Sequence, residues 1–236
     1  MLHLCGTAQM ADLIDILVVG AGPAGANAAL AAARHGKHVV LLDEQVKPGG
    51  QIWRAKDSSI LSAPQTPESS AGDALRAQIK KAQIDHRGST RIWQIERQSE
   101  GWDVHVLRDG QVERLTTKAL VLATGAHEFV QPIPGWTKPG VFGLAGATAL
   151  FKQNLSPLGQ NTIVSGTGPL VFFVASEIRR LGGKVAAVVT PNTRRDWVAK
   201  LPALVGRVDL ALRGAFWIAH LMMNRIPIFW GCSVVS

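Results

Sequence analysis

A glycine turn near the start of the chain constrains its fold more than any other feature of the sequence. Gly20, Gly22 and Gly25 form the pattern G-x-G-x-x-G, directly after an apolar run and directly before an alanine-rich segment. The first glycine allows a tight turn, the second lets the backbone approach a pyrophosphate, and the third lets a helix pack closely on a strand. Asp43 ends the next apolar run, where a carboxylate can accept a hydrogen bond from a ribose hydroxyl. The sequence therefore predicts a strand-turn-helix-strand unit that binds a dinucleotide at the helix N-terminus.

A second copy of this unit lies in "NTIVSGTGPLVFFVASEIRRLGGKVAAVVT", with changes at two positions. Gly166 and Gly168 keep the first two glycines, whereas Val171 replaces the third and Thr190 replaces the acid. A valine side chain pushes the helix away from the strand or narrows the approach of a phosphate, and threonine lacks the charged ribose acceptor. We therefore expect a turn of similar shape with weakened NAD recognition.

Two arginines after the second unit leave an alternative open. Arg194 and Arg195 follow its last strand by a few residues, where an arginine in NADP-binding units meets the 2′-phosphate. The other interpretation is a pair of solvated side chains at a helix start. The sequence therefore allows NADP as a second ligand without requiring it.

The remaining segments predict an α/β fold built on these two units. Three partly alternating stretches at about 89–117 are typical of an antiparallel meander, and "ALVLATG" predicts a buried parallel strand. Residues 44–72 are rich in Gly, Pro and Ser and predict a surface excursion before a helix in "GDALRAQIKKAQI". Further helices are expected at 141–152 and at about 196–224, followed by a strand in "IPIFWG".

Composition and charge disfavour several other classes of protein. The 25 Lys and Arg residues give a net charge of +8 but are scattered, so no nucleic-acid partner is predicted. Cys5 and Cys232 are the only cysteines and lie far apart, so neither a disulfide framework nor a metal site is expected. The first residues do not resemble a signal peptide, and "AFWIAHLMM" is shorter than the roughly 20 residues of a membrane span. A cytoplasmic location without a membrane span is therefore predicted.

Candidate catalytic side chains are few. His127 and Glu128 follow the "ALVLATG" stretch and have the chemistry of an acid–base pair, although a locally bonded loop histidine is the commoner arrangement. His220 lies in an apolar helical stretch and is interpreted as a core residue with a hydrogen-bond partner. The sequence therefore leaves the catalytic residues unassigned.

Three longer stretches resemble a known family. They are "LLDEQVKPGGQIWR", "LATGAHEFVQPIPGWTKPGVFGLAGATALFK" and "VSGTGPLVFFVASEIRRLGG". With the first glycine turn they resemble the FAD-dependent oxidoreductases that have two dinucleotide-binding domains. Within that superfamily they are similar to the larger FAD subunit of opine oxidases and its relatives in hydrogen cyanide synthase and D-hydroxyproline dehydrogenase. The disulfide reductases of the superfamily carry a cysteine pair after the Gly-Gly stretch or before the second turn, and this sequence has none there.

The resemblance implies a cofactor and its contacts. It assigns residues 10–150 to a Rossmann-like FAD-binding domain and residues 151–236 to a partial second dinucleotide-binding-like domain. The FAD contacts that it implies by position are Gly20, Gly22, Gly25, Asp43, Gly50, Gln51, Arg54, Thr124 and Gly125. A second nucleotide site, if retained, would comprise Gly166, Gly168, Arg194 and Arg195.

The resemblance also implies an activity and partners. It indicates a subunit of opine oxidase or amino-acid dehydrogenase type, which passes electrons from an amine or imino-acid substrate through FAD to an acceptor other than NAD. The expected partner is a second flavoprotein oxidase subunit, through which the chain could also lie at a membrane surface. The alternatives are an NADPH-dependent flavin reductase and an inactive, truncated remnant.

Length distinguishes this chain from the subunits that it resembles. Those subunits continue through a third FAD-contacting segment and a small cysteine-rich iron–sulfur region. The chain is therefore expected to correspond to their N-terminal part. On that expectation an iron–sulfur cluster belongs only to the missing C-terminal region.

Overall fold

The computed structural model describes residues 13–57, 59–60, 66–156 and 158–234. Cys5 and the predicted domain start at residue 10 lie outside the described residues. The chain divides into two compact units, Met1–Ala126 and His127–Ser236. Both units are of the α/β type that the sequence predicts.

A single mixed sheet forms the centre of the first unit. The elements of this unit are β1 (Ile14–Val19), α1 (Pro23–Arg34), β2 (Val39–Leu42), α2 (Pro67–Lys81), β3 (Asp85–Arg87), β4 (Thr90–Gln98), β5 (Gly101–Arg108) and β6 (Gln111–Leu122). Among the described residues the strands lie in the order β3-β2-β1-β6-β5-β4. Neighbours are parallel from β3 to β6, and the pairs β6–β5 and β5–β4 are antiparallel.

Strands β1 and β2 are largely buried because both of their faces are covered. β1 and β2 read IDILVV and VVLL. On one face, Ala26 and Ala29 of α1 are fully buried in a cluster that also contains Leu41, and their small side chains let the helix lie close to the sheet. On the other face, Val104 and Val106 of the meander pack against β1 and β2. This packing fixes the carboxyl ends of the parallel strands at one edge of the sheet.

Strand β6 joins two segments that the sequence pattern treats separately. Its first half pairs antiparallel with β5 as part of the expected meander, and from Thr117 onward it pairs parallel with β1. The expectation of a parallel strand in "ALVLATG" is confirmed for Ala119–Leu122, but the expectation that this strand is buried was wrong, because Leu122 is 62% exposed and Ala119 is exposed. Only Leu120 and Val121 of this half pack against the clusters of the unit.

Helix α2 begins earlier than the sequence pattern places it. The backbone N–H of Ser69 donates to Thr66 Oγ1 at 3.2 Å, and the N–H of Thr66 donates to Ser69 Oγ at 2.8 Å. This reciprocal cap, with Pro67 at the first helical position, starts the helix inside the predicted surface excursion at 44–72. Residues 58 and 61–65 of that excursion lie outside the described residues.

The second unit carries a smaller parallel sheet. Its elements are α3 (Leu144–Asn154), β7 (Thr162–Ser165), α4 (Leu170–Arg180), β8 (Val185–Thr190), α5 (Arg194–Lys200), a 3₁₀ helix (Leu201–Arg207), α6 (Val208–Met223) and β9 (Ile228–Trp230). Among the described residues its strands lie in the order β7-β8-β9, all parallel. The single helical stretch expected at about 196–224 is therefore divided into three pieces. Pro202 stands at the first division, where its missing N–H and its ring disfavour a continuing α-helix.

Helix α3 packs with the second unit. Ala147 and Phe151 of α3 are buried in the same cluster as Val171 and Phe172 of α4 and Leu221 of α6. The compact units therefore differ from the predicted limits 10–150 and 151–236, because α3 contributes to the core that follows it rather than to the sheet that precedes it. The assignment of an FAD-binding domain and a second nucleotide-like domain stays a prediction.

Two further features bear on the expected location and metal content. Across the described ranges, no helix combines the length and the apolar character that crossing a bilayer requires. Within the same ranges, His, Cys, Asp and Glu side chains form no group that could hold a metal ion.

Candidate functional site

The first glycine turn is built by backbone packing that excludes side chains. Gly20 has a φ of +95°, and a Cβ built on it would lie 2.3 Å from the carbonyl oxygen of Ala123. A Cβ built on Gly25 would lie 1.9 Å from the carbonyl oxygen of Gly20. Both positions therefore require glycine for β1, α1 and the end of β6 to meet. The turn lies where the chain leaves β1 between β2 and β6, which is the position at which α/β sheets bind ligands.

Gly22 differs from the other two glycines because the fold does not require it. Its φ is −67°, which any residue adopts, and a built Cβ would meet only the Cα of Gly50, at 3.9 Å. Gly22 is the N-cap of α1, Pro23 follows it, and the first turn of the helix has no acidic residue. The helix N-terminus therefore presents backbone N–H groups and a positive dipole end, and no side chain caps it by a hydrogen bond. This arrangement suits a phosphate.

Asp43 is tied to the same turn by its carboxylate. The backbone N–H of Ala21 donates to Asp43 Oδ2 at 2.5 Å, and the N–H of Gln45 donates to Asp43 Oδ1 at 2.6 Å. A carboxylate has about four acceptor positions, so each oxygen keeps capacity for a ribose hydroxyl. The two backbone bonds hold the acid at the carboxyl end of β2, beside the glycine turn, as the sequence predicts.

The Gly-Gly loop lies directly on the glycine turn. The N–H of Gly49 donates to the carbonyl of Ala21 at 2.8 Å. Gly50 has a φ of +57°, and a Cβ built on it would lie 2.9 Å from the Cα of Gly22. Gln51 Nε2 donates to the carbonyl of Ala126 at 3.1 Å, which links this loop to the segment after β6. The structure thus brings the predicted contacts Gly22, Gly50 and Gln51 together.

The other predicted contacts lie around this centre. Arg54 Nη1 donates to Oε1 of Gln45, two residues beyond Asp43, at 3.3 Å. The Cα of Thr124 lies 3.3 Å from a Cβ built on Gly20, so Thr124 adjoins the turn and is exposed. Gly125 has a φ of +80° and is exposed, but a built Cβ there meets nothing within 4 Å. Their roles as FAD contacts stay predictions.

Two side chains near this centre carry no signal in the sequence. His86 on β3 has an Nε2 atom that is buried and has no hydrogen-bond partner among the described residues. Burial lowers the pKa of His86, and the nearby carboxylates of Asp43 and Asp85 oppose that effect in part. Arg76 on α2 donates to the carbonyls of Pro48 and Trp53, at 2.9 Å and 3.1 Å. No local motif marks either residue, because Arg76 reaches two loop carbonyls outside its helix and His86 takes its place through the pairing of β3 with β2.

The second glycine turn is wider than the first. Gly166 and Gly168 have φ values of +152° and +78°. A Cβ built on Gly166 would lie 3.7 Å from Val171 Cγ2, which is an ordinary contact. Helix α4 begins at Leu170, one residue later than α1 begins relative to its own turn, and Val171 is fully buried in the core. Val171 therefore packs between α4 and the sheet. At the corresponding position of the first turn, Gly25 instead lies in direct contact with the backbone of Gly20.

The charged acceptor of the first turn is replaced here by a closed network of neutral groups. Thr190 is fully buried, and its Oγ1 donates to Asn192 Oδ1 at 3.3 Å. The same Asn192 Oδ1 accepts from the N–H of Gly168 at 3.2 Å. Asn192 therefore accepts from the N–H of Gly168, and in a turn that binds a dinucleotide the corresponding N–H faces the phosphates. The sequence pattern does not mark this residue, because it lies beyond the repeated unit.

Arg194 and Arg195 stand at the start of α5. Both are exposed, and the guanidinium carbon of Arg194 lies 5.9 Å from the centre of the Trp230 ring. Thr193 and Asp196 cap the helix reciprocally, and the hydrogen bonds from Thr193 lower the pKa of Asp196. This arrangement places Arg194 against an aromatic ring at a helix start. It does not by itself mark a 2′-phosphate site.

The remaining candidates have local structural partners. Glu128 accepts from the N–H groups of Leu144 and Ala145, at 2.6 Å and 2.8 Å, so it caps α3. Ser176 Oγ and His220 Nδ1 share a hydrogen bond of 2.7 Å, as expected for a satisfied histidine at the edge of the core. His127 is exposed. The carboxylate of Glu128, its candidate partner in an acid–base pair, accepts from backbone N–H groups of α3 instead.

Residues 14–235 match the family model described as pyridine nucleotide-disulphide oxidoreductase. The chain is 36% identical over 179 residues to one of the subunits of opine oxidase from Agrobacterium tumefaciens, a match that covers 72% of this chain and 35% of that protein. It is 33% identical over 229 residues to HcnB, a subunit of hydrogen cyanide synthase from Pseudomonas aeruginosa, covering 93% and 48% of the two chains. The chain thus spans between about a third and about a half of these relatives.

The fold is shared with solved structures. L-proline dehydrogenase from P. horikoshii superposes with a TM-score of 0.66 at 22% identity, over 75% of this chain and 35% of that one. At this identity the likeness concerns the fold, and it agrees with the Rossmann-like architecture described above.

Proposed function

The chain belongs to the pyridine nucleotide-disulphide oxidoreductase family, as an FAD-dependent oxidoreductase, and from this premise we propose a more specific role. The first unit holds FAD, and the protein takes part in oxidising an amine or imino acid with an electron acceptor other than NAD. It acts together with a second flavoprotein oxidase subunit. A cytoplasmic location is part of the same proposal.

The difference between the two glycine turns carries this proposal. In the first turn, Gly22 leaves the N-terminus of α1 uncovered and Asp43 keeps acceptor capacity beside it. In the second turn, the corresponding acid is a buried threonine, and Asn192 takes the N–H of Gly168. One dinucleotide site is therefore built for a charged ligand and the other is closed. A flavin without a nicotinamide beside it suits an oxidase or dehydrogenase whose acceptor is another centre.

The residues of the first turn fit FAD by shape and by charge. The pyrophosphate would lie over Gly22 and the first N–H groups of α1, because Gly22 has no side chain and no side chain caps this helix N-terminus. Asp43 would accept from the adenosine ribose, and the Gly49–Gly50 loop would form the wall toward the flavin. When bound, FAD supplies the capacity to take two electrons from the substrate, while the protein supplies binding and orientation.

The named relatives support the substrate class and the partner. The matched proteins of opine oxidase, hydrogen cyanide synthase and sarcosine oxidase are each named as one subunit of the enzyme. Two of these names, opine oxidase and sarcosine oxidase, identify amine substrates. The chain covers about half of HcnB and less of the others, so its own activity and partner are inferred from the part that is shared.

An NADPH-dependent flavin reductase is the alternative enzyme. It would use Arg194 and Arg195 to meet the 2′-phosphate, but Arg194 lies against Trp230 and the turn before it is closed by Asn192. An inactive remnant is the alternative without catalysis. It predicts a folded chain that does not take up FAD.

Reduction of the bound flavin tests the proposal. The chain is purified with the proteins that copurify with it, saturated with FAD, and mixed without oxygen with opines, imino acids, NADH or NADPH. We expect bleaching of the flavin absorbance by an amine or imino acid, and transfer of the electrons to an artificial dye. NADH and NADPH are expected to leave the flavin oxidised.

The other outcomes separate the alternatives. Rapid bleaching by NADPH, lost in Arg194→Ala with Arg195→Ala, would replace the proposal with the flavin reductase. A folded chain that holds FAD, but whose flavin no amine reduces even with its partners, would contradict the substrate class. Failure to bind FAD would favour the remnant.

A further inference from the structure

The Gly-Gly loop is held from behind by one side chain of α2. Arg76 Nη1 donates to the carbonyl of Pro48 at 2.9 Å and to the carbonyl of Trp53 at 3.1 Å. Its Nη2 donates to Asp73 Oδ1 at 2.8 Å, one turn earlier in the helix. The Arg76 side chain is only 20% exposed. A single guanidinium thus closes both ends of the loop onto a rigid helix.

Two glycines lie against this guanidinium. A Cβ built on Gly72 would lie 3.0 Å from Arg76 Nη2 and 3.0 Å from Trp53 Cβ. A Cβ built on Gly49 would lie 2.2 Å from the carbonyl oxygen of Trp53, to which Arg76 donates, and 3.1 Å from Arg76 Nη1. Glycine in a helix interior lowers helix stability relative to alanine. Glycine at the buried position 72 therefore lowers the stability of the helix, but it leaves room for the Arg76 guanidinium, which a side chain there would press against.

We propose that Arg76 is a positioning residue for FAD, which acts through the loop from Pro48 to Trp53. The inference rests on the proposed function, because the loop contributes Gly50 and Gln51 to the predicted FAD site. Gly50 touches the glycine turn, since its built Cβ would lie 2.9 Å from the Cα of Gly22. Without the hydrogen bonds from Arg76, the loop is no longer held against the glycine turn, where the pyrophosphate is proposed to lie.

The planar fork of arginine is needed for this role. Arg76 makes hydrogen bonds to three acceptors on two elements, with two of its nitrogens. A lysine ammonium is a compact charge and does not reproduce a planar fork of donors. Arg76→Lys should therefore keep the charge and part of the helix packing, while losing part of the loop restraint.

The test measures FAD affinity in variants of α2. Arg76→Ala is expected to weaken FAD binding about tenfold or more, because the loop must then be ordered at the expense of binding energy. Arg76→Lys is expected to recover part of the loss, to within about threefold of the wild type. Lys80→Ala is the matched control, since it removes one positive charge from an exposed position of the same helix. Its affinity should equal that of the wild type.

A second measurement needs no FAD. Trypsin is added briefly to the apoproteins, and cleavage after Arg54 and Lys56 is followed by mass spectrometry. Arg76→Ala should be cut faster than Lys80→Ala at these two sites, which directly follow the loop. Its thermal midpoint should fall by less than about 4 °C, because the change is confined to one loop.

A double variant tests whether Gly72 acts through the guanidinium. Gly72→Ala should weaken FAD binding in the wild-type background, although alanine favours helix. The same change should have a smaller effect on FAD affinity once Arg76 is alanine, because the guanidinium is then absent and only the contact with Trp53 Cβ remains. Equal effects in the two backgrounds would show that Gly72 acts through other contacts.

The outcomes separate this inference from the proposed function. If the wild type binds no FAD, the proposed function fails and the inference fails with it. If the wild type binds FAD and Arg76→Ala binds it equally well, only the positioning role is overturned. A loss of affinity in Arg76→Ala that accompanies a large fall of the thermal midpoint, with no recovery in Arg76→Lys, would show a general structural role instead.

Discussion

Opening the second glycine turn is predicted to create NADH affinity that the wild-type chain lacks. The perturbation is the double substitution Thr190→Asp with Asn192→Ala. The first change places a carboxylate at the position that corresponds to Asp43, and the second frees the N–H of Gly168. Val171 is left unchanged, because it is fully buried in the core and its removal would destabilise the unit.

The size of the effect follows from two hydrogen-bond terms. A missing hydrogen bond to a charged acceptor is worth about 1.5–3 kcal/mol, and displacement of Asn192 from the Gly168 N–H costs about 0.5–1.5 kcal/mol. Their sum of about 2–4.5 kcal/mol corresponds to between one and a half and three orders of magnitude in affinity. The steric effect of Val171 comes in addition. The wild-type turn should therefore bind NADH only at millimolar concentrations or not at all.

Calorimetric titration of NADH and NADPH into both proteins measures this directly. The double variant is expected to gain at least tenfold in NADH affinity over the wild type. Because Thr190 is fully buried, the folded state of the variant is checked first by circular dichroism and thermal melting. Asn192→Ala alone serves as the intermediate control and should give a smaller gain.

Two results would refute the reasoning. Micromolar NADH binding by the unmodified chain would show that the neutral network of Thr190 and Asn192 does not close the turn. Tight NADPH binding that disappears in Arg194→Ala with Arg195→Ala would show that the arginines, rather than the replaced acid, decide which nucleotide binds.

Three further outcomes are expected. Thr66→Ala should lower the free energy of unfolding by about 1 kcal/mol in urea denaturation, because it removes the N-cap of α2, and an unchanged midpoint would contradict the importance of the cap. Burial lowers the pKa of His86 below its ordinary 6.5, so the folded state binds fewer protons than the unfolded chain around this pH. The folding stability that depends on neutral His86 is therefore fully present above pH 6.5, and it is lost as the pH falls through the folded pKa. The free energy of unfolding should therefore decline as the pH falls through and below 6.5, and His86→Phe should flatten this slope; an equal slope in the variant would exclude His86 as its source. Phe216 is 66% exposed on α6, so Phe216→Ser should reduce the binding of an apolar dye without lowering the thermal midpoint, and unchanged dye binding would show that other surfaces bind it.

The first unit could be predicted because its signals are local. The glycine spacing, the alanine-rich helix and the acid all lie between Gly20 and Asp43, and the structure places them as expected. The meander was likewise marked by alternation and turn residues. Strand β3 had no such signal, because Asp85–Arg87 is short and polar and becomes a strand only through pairing with β2. The residues that cap α2, Thr66 and Ser69, lie within a stretch whose Gly, Pro and Ser content indicates a loop, so the sequence pattern does not mark this helix start.

Features that depend on distant contacts could not be predicted. Asn192 closes the second turn across 24 positions of sequence, and Arg76 reaches back 28 positions to Pro48. Neither partner can be identified before the strands and helices are placed. The same limit explains α3, which follows the first unit closely in sequence but buries Phe151 in the core of the second. The geometry of the first glycine turn and the position of Asp43 could therefore be predicted, whereas the residues that support this turn or close the second one could not.

Equilibrium titration of FAD into the folded chain tests the central claim most directly. The claim is that the first glycine turn alone holds a dinucleotide. We expect quenching of flavin fluorescence that saturates at one FAD per chain, is absent in Gly22→Val, and is unchanged in the control Gly146→Val on α3. A Cβ built on Gly22 meets only Gly50 Cα at 3.9 Å, so Gly22→Val should fold while blocking the pyrophosphate. A folded wild-type chain that stays colourless at saturating FAD, or a Gly22→Val variant that binds FAD as tightly as the wild type, would contradict the claim.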